Sequence, residues 1–161
     1  MEFFDGRKIQ KEILEKVKKR LNTVGYKPRL AVIWVGDDLI SARYVAIKKR
    51  IAENLGINFD IYKYQSDVSQ EELIEKIQEL NLGKNVDGIM IQLPLLVGLS
   101  RSEIIAAVSK EKDADGLRAC AGLDCEIRPP VIRAIFLALR EAKIDLSSSK
   151  VAVIGKGFLV V

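Results

Sequence analysis

Apolar positions along the chain change period several times, and each change marks an element. Ile9, Ile13, Val17 and Leu21 recur every four residues, which predicts an amphipathic helix over residues 5–22 with a charged outer face. Asn22 to Pro28 reads as a loop. Leu30-Ala31-Val32-Ile33-Trp34-Val35 is an unbroken apolar run, the pattern of a buried strand, and it stops at Gly36. Asp37 or Asp38 can then cap a second helix running to about Asn54, with Gly56 ending it. Ile57 to Tyr64 alternates well enough for a second strand. Ser69, followed by Glu71 and Glu72, opens a third helix lasting to about Leu82. Val86 to Gln92 is a third strand closed by Leu93-Pro94, and Ser100 to Val108 a fourth helix. Lys112 to Glu126 reads as a loop-rich passage. A long helix is expected from Pro129-Pro130 to about Lys143, and Val151 to Gly155 reads as a fourth apolar strand.

Strands alternating with helices of this length predict an α/β fold, an open parallel sheet with helices on both faces. The Gly155-Lys156-Gly157 turn behind the last run is the kind that opens a dinucleotide-binding unit. No helix or further strand follows it, so the expectation is a truncated Rossmann-like stub. The domain division expected is 1–128, a catalytic domain; 129–149, a connecting helix and loop; and 150–161, the first strand and turn of an incomplete nucleotide domain.

Composition narrows the chemistry. With 48% apolar and 30% charged residues and a net charge of +4, the chain reads as an ordinary globular protein. Its cations are spread over helix faces (Lys16, Lys18, Lys19, Arg20), so no nucleic-acid partner is expected. No apolar run is long enough to span a bilayer, and Met1 to Asp5 does not open a signal peptide, so no membrane partner and a cytoplasmic location are expected. Cys120 and Cys125 read as reduced thiols rather than a disulfide or metal pair. The chain has no histidine, which excludes a His-based nucleophile, a His general base and every His-ligated metal; no metal is expected. Proton chemistry falls to Lys, Tyr, Asp, Glu or water.

Three polar features lie at or just beyond carboxyl ends of strands, where open α/β sheets bind ligands. Tyr44 and Lys48, four apart on the second helix, project from one face; the alternative is a snorkelling lysine beside a half-buried tyrosine. Gln92 is the only polar residue in Ile89 to Leu95, and a buried glutamine needs partners; a structural hydrogen bond to a loop would serve equally. In Lys112-Asp113-Ala114-Asp115-Gly116, either aspartate could instead shape the turn.

Taken together, Tyr44-x-x-x-Lys48, Gln92-Leu93-Pro94-Leu95 and Lys112-Asp113-Ala114-Asp115-Gly116 resemble the signature blocks of the bifunctional methylenetetrahydrofolate dehydrogenase/methenyltetrahydrofolate cyclohydrolase family. Asp5-Gly6-Arg7, Val35-Gly36-Asp37-Asp38 and Val153-Ile154-Gly155-Lys156 resemble it too, the last in the place of the NADP-binding turn. The likeness covers the family's amino-terminal catalytic domain and the first strand of its cofactor domain. It implies a folate substrate, with Lys48 as general base or proton shuttle, Tyr44 stacked on the aminobenzoyl ring, Gln92 holding Lys48, and Asp115 bonding the pterin. It implies NADP at Gly155, Lys156 and Gly157 in the complete enzyme, and a homodimer built largely through the cofactor domain. An amine has an ordinary pKa of about 10.4, so a base role near neutrality needs burial under the ligand; Asp115 is therefore expected to point at the ligand and not at Lys48.

Departures from the family pattern gather on the cofactor side. Leu39-Ile40 replaces Pro-Ala, Leu96 replaces the second proline of Leu-Pro-Leu-Pro, and Ala119-Cys120-Ala121 stands where an asparagine is expected. Pro129-Pro130-Val131-Ile132-Arg133-Ala134 replaces Pro-Cys-Thr-Pro-x-Gly, so NADP binding by this chain is not expected. Two functions follow as expectations: a one-carbon folate enzyme retaining cyclohydrolase chemistry, with a role in purine biosynthesis, or a non-catalytic folate- or partner-binding domain that kept the fold.

Overall fold

The computed structural model describes residues 5–155 together with Gly157 and Phe158. Three strands, β1 (Arg29–Val35), β2 (Asn58–Tyr64) and β3 (Gly88–Ile91), form a parallel sheet in the order β2-β1-β3. Arg29 pairs with Asn58 and Val35 with Tyr64, while Leu30 to Ile33 pair with Gly88 to Ile91. β1 is thus central and apolar on both faces, as its unbroken run predicted.

Helices cover both faces. On one, α3 (Gln70–Leu82), α4 (Arg101–Ala107) and the short α5 (Leu117–Cys120) enclose Ala31, Ile33, Leu73, Ile77, Ile89, Ile104 and Ile105. On the other, α2 (Leu39–Leu55) lies over Val32, Met90 and Phe59 through Val45 and Ala52. α1 (Gly6–Val24) and α6 (Pro130–Glu141) contribute no fully buried residue.

Of the two candidate caps for α2, Asp38 takes the role: its carboxylate accepts the Ser41 N–H at 2.6 Å. That bond, with the Ser41 hydroxyl, holds the Asp38 carboxyl below the ordinary carboxylate range. Ser69 caps α3 and Ser100 caps α4 in the same way, and Gly56 closes α2 at φ 78°.

One expectation is refined and one corrected. The loop-rich passage 112–126 also holds α5, preceded by a 3₁₀ turn at Lys110–Lys112. Four residues are too few to show a helical period, so the pattern hid α5. The apolar run Val151 to Gly155 forms no strand, and Val151, Val153 and Ile154 are exposed. Its apolar character is genuine, but no neighbouring strand among the described residues offers it a ladder. The described part of the expected stub is therefore irregular, and Lys156 lies outside the described residues.

Candidate functional site

β1 ends at Gly36, whose positive φ of 81° turns the chain and whose N–H bonds the Tyr64 carbonyl at 2.9 Å. The turn delivers α2 over the sheet with Tyr44 and Lys48 facing the carboxyl ends of β1 and β3. Beyond β3, the Gln92 N–H continues the ladder to the Ile33 carbonyl at 2.9 Å before the cis Leu93–Pro94 bond. Downstream, Ala114 bonds the Ile89 carbonyl at 3.1 Å and brings Asp115 to the same edge.

Tyr44, Lys48, Gln92 and Asp115 line one pocket of about 410 Å³, with Ile91, Leu93, Leu117, Pro129, Pro130 and Val131 as its apolar walls. The four residues singled out from separate stretches of sequence are brought together. Tyr44 is 57% exposed, so a broad ring face stands at the rim. The Lys48 amine donates to Asp115 Oδ2 at 3.3 Å and to the Met90 thioether sulfur at 3.0 Å. Asp115 thus points at Lys48, contrary to the expectation that it would not: an ammonium and a carboxylate on adjoining walls attract each other. Gln92 does not bond Lys48. Its Nε2 donates to the Leu93 carbonyl at 2.6 Å, and its Oε1 is buried without a donor among the described residues.

Between the two aspartates the ambiguity resolves. Asp113 shapes the turn, accepting the N–H groups of Leu117 at 3.2 Å and Arg118 at 2.9 Å. That leaves Asp115 to the pocket. Met90 was missed because it read only as an apolar strand residue. The signal was present: residues 90 and 92 lie two apart on β3 and its extension and so face α2 together. The Pro129–Val131 wall was also missed as part of the pocket. It reaches the site because Gly116 has no side chain: a Cβ there would stand 2.4 Å from the Ile127 carbonyl oxygen.

The nucleotide expectation fares differently. Gly155, at φ 118°, is exposed on an irregular segment, and Gly157 lies beside Phe158 near Leu93, Pro94 and Arg101. No strand precedes the turn among the described residues, and Lys156 lies outside them. Cys120 and Cys125 are free thiols, and burial pushes the Cys120 thiol up. No metal-binding cluster occurs among the described residues, and no helix there is long and apolar enough to cross a membrane.

Comparison with known proteins agrees with the pocket. Residues 4–115 match the family described as tetrahydrofolate dehydrogenase/cyclohydrolase, catalytic domain. The bifunctional protein FolD of Aquifex aeolicus is 36% identical over 97% of this chain, which spans 57% of that relative's length. Among solved structures, the bifunctional FolD methylenetetrahydrofolate dehydrogenase/cyclohydrolase of Campylobacter jejuni superposes with a TM-score of 0.86 at 30% identity, over 97% of this chain and 58% of that one. The Trypanosoma brucei enzyme, solved with NADP cofactor and inhibitor, gives a TM-score of 0.89 at 25% identity, over 99% and 58%. By fold, by site and by the length of the match, the chain belongs to the tetrahydrofolate dehydrogenase/cyclohydrolase catalytic-domain family.

Proposed function

We propose that this chain carries the folate half of a methylenetetrahydrofolate dehydrogenase/methenyltetrahydrofolate cyclohydrolase site and that hydrolysis of the methenyl group is the step its own residues can serve. The observation that carries the reading is the convergence of Tyr44, Lys48, Gln92 and Asp115 on one apolar-walled pocket of about 410 Å³. In the proposed complex the aminobenzoyl ring stacks on Tyr44 and the pterin N–H groups engage Asp115. That engagement draws the carboxylate from Lys48, and an amine accepts a proton only when it is neutral. Water then adds to the methenyl carbon while Lys48 takes its proton. The bond from that carbon to N5 breaks as N5 takes the proton held by Lys48, the added hydroxyl releases its own proton to solvent to become the formyl oxygen, and the formyl group stays on N10. The buried Gln92 Oε1 supports the same reading, since a ligand or Lys48 N–H would satisfy it.

Hydride transfer needs a bound nicotinamide and is not assigned to these four residues. NADP use, homodimer formation, a cytoplasmic setting, purine biosynthesis and the division at 128 and 149 all belong to the proposal for the longer family protein.

The test is the absorbance decay of methenyltetrahydrofolate with this protein, with Lys48→Ala and without protein. The expected result is decay above background that falls to background in Lys48→Ala while the circular dichroism is unchanged. Equal decay in both proteins removes Lys48 from the chemistry. Binding without decay turns the reading to a non-catalytic folate-binding domain.

A further inference from the structure

Among the described residues, Lys48 is the one hydrogen-bonding partner of the Asp115 carboxylate. Where that carboxylate stands is therefore decided by the backbone that carries it. Just before it in the chain, Asp113, only 5% exposed, ties the turn to the start of α5, and Ala114 ties it to β3. Next to them, further toward the amino terminus, stands Lys112. Its ammonium donates to the carbonyls of Leu80 at 3.0 Å, Asn81 at 2.7 Å and Gly83 at 2.8 Å, where α3 ends.

This is an unusual use of a lysine. All three ammonium donors are spent on neutral carbonyls, and no carboxylate pairs with it among the described residues. The carbonyls belong to a helix terminus, which lacks intrahelical partners and carries the negative end of the helix dipole. A lysine needed only for solubility would extend to water. Here the side chain folds inward from the 3₁₀ turn and joins the loop of the candidate site to the rigid end of a helix that packs in the core.

We propose that Lys112 is a positioning residue of the site: its ammonium, bound to the last carbonyls of α3, fixes the loop that holds Asp115 against Lys48. Its effect on ligand binding rests on the folate reading; its effect on the Lys48–Asp115 contact does not. Arginine cannot replace it fully, because a planar fork does not aim three donors at three converging oxygens.

The experiment is partial acetylation of the free protein with acetic anhydride, with the labelling of Lys48 measured by peptide mass spectrometry, beside folate binding by equilibrium dialysis. Lys112→Met keeps the stem and removes the donors. Its Lys48 labelling is expected to rise about two- to fivefold, the range for losing a half-exposed ion pair, and to match that of Asp115→Asn. The double variant is expected to add nothing further, because both changes break the same contact. Folate affinity is expected to fall in parallel, with Lys112→Arg between Lys112→Met and the parent. Lys48 labelling unchanged in a folded Lys112→Met protein, or effects that multiply in the double variant, overturns the proposal. Should Lys112→Met lose its helical circular dichroism, Lys112→Arg decides: raised labelling supports the proposal and parental labelling overturns it. A parent protein that binds no folate overturns the folate reading and leaves the labelling result to stand by itself.

Discussion

A buried carbonyl oxygen without a donor weakens a fold by about 1–3 kcal/mol, and Gln92 Oε1 is in that position at 7% residue exposure. Only one of its amide groups is satisfied, by the Leu93 carbonyl. Gln92→Leu removes the orphan and one hydrogen bond together, so stability is expected to rise by about 1 kcal/mol while folate affinity falls. Urea unfolding and ligand titration of the same variant check the two halves. A loss of stability would mean that the amide is satisfied in solution and faces no ligand. At this scale the sequence singled out residues that the structure brings to one pocket, since an isolated polar group at a strand end is conspicuous among Ile89, Met90, Ile91 and Leu93. It did not show their partners. The Lys48 contacts with Asp115 and Met90 depend on how three walls close in space, and no spacing rule reports that.

Among the elements, the helix starts were legible because capping is local: an acceptor and its N–H lie three residues apart. Asp38 on α2 offers a direct check. Its carboxyl is held below the ordinary range in the folded chain by Ser41, so the stability it contributes is present above the unfolded carboxylate pKa and is lost as pH falls through the folded value. Asp38→Ala is expected to lower the melting temperature by about 3 °C at pH 7. That gap is expected to close as the pH drops below about 4. A gap that persists in acid would assign the effect to something other than the charged cap. The close approach of the Asp115 loop to the 127–129 segment could not be read in the same way. It depends on Gly116, which looked like an ordinary turn glycine but has the Ile127 oxygen, the Arg128 carbonyl carbon and the Pro129 nitrogen at 2.4, 2.8 and 2.9 Å from the site of a Cβ. Its φ of 64° also disfavours any side chain. Gly116→Ala is expected to cost about 1–3 kcal/mol. It should also push Pro129 and Pro130 off the pocket, weakening ligand binding beyond what the stability loss explains; titration well below the melting temperature separates the two effects.

For the molecule as a whole, cohesion is uneven. β1 is flanked by strands on both sides and by helices above and below, so Ala31, Val32 and Ile33 are fully buried. α6 carries Val131, Ile135 and Phe136 in exposed positions, and the segment 151–155 is irregular. Hydrophobic pattern reports what a stretch could bury, whereas burial requires a second surface, which is why the pattern was right for Leu30 to Val35 and wrong for Val151 to Gly155. The two stretches can be compared by the same substitution chemistry. Ile33→Ala empties a core site and is expected to cost about 2–5 kcal/mol. Ile154, 97% exposed, should tolerate Ile154→Asp within about 0.5 kcal/mol. A charge on the face of a paired strand packed under helices could not be so mild, since a buried carboxylate has to be neutralised or paired. A large loss of stability in Ile154→Asp would therefore show that the segment does fold as a strand in solution, and would restore the sheet extension that its apolar run first suggested.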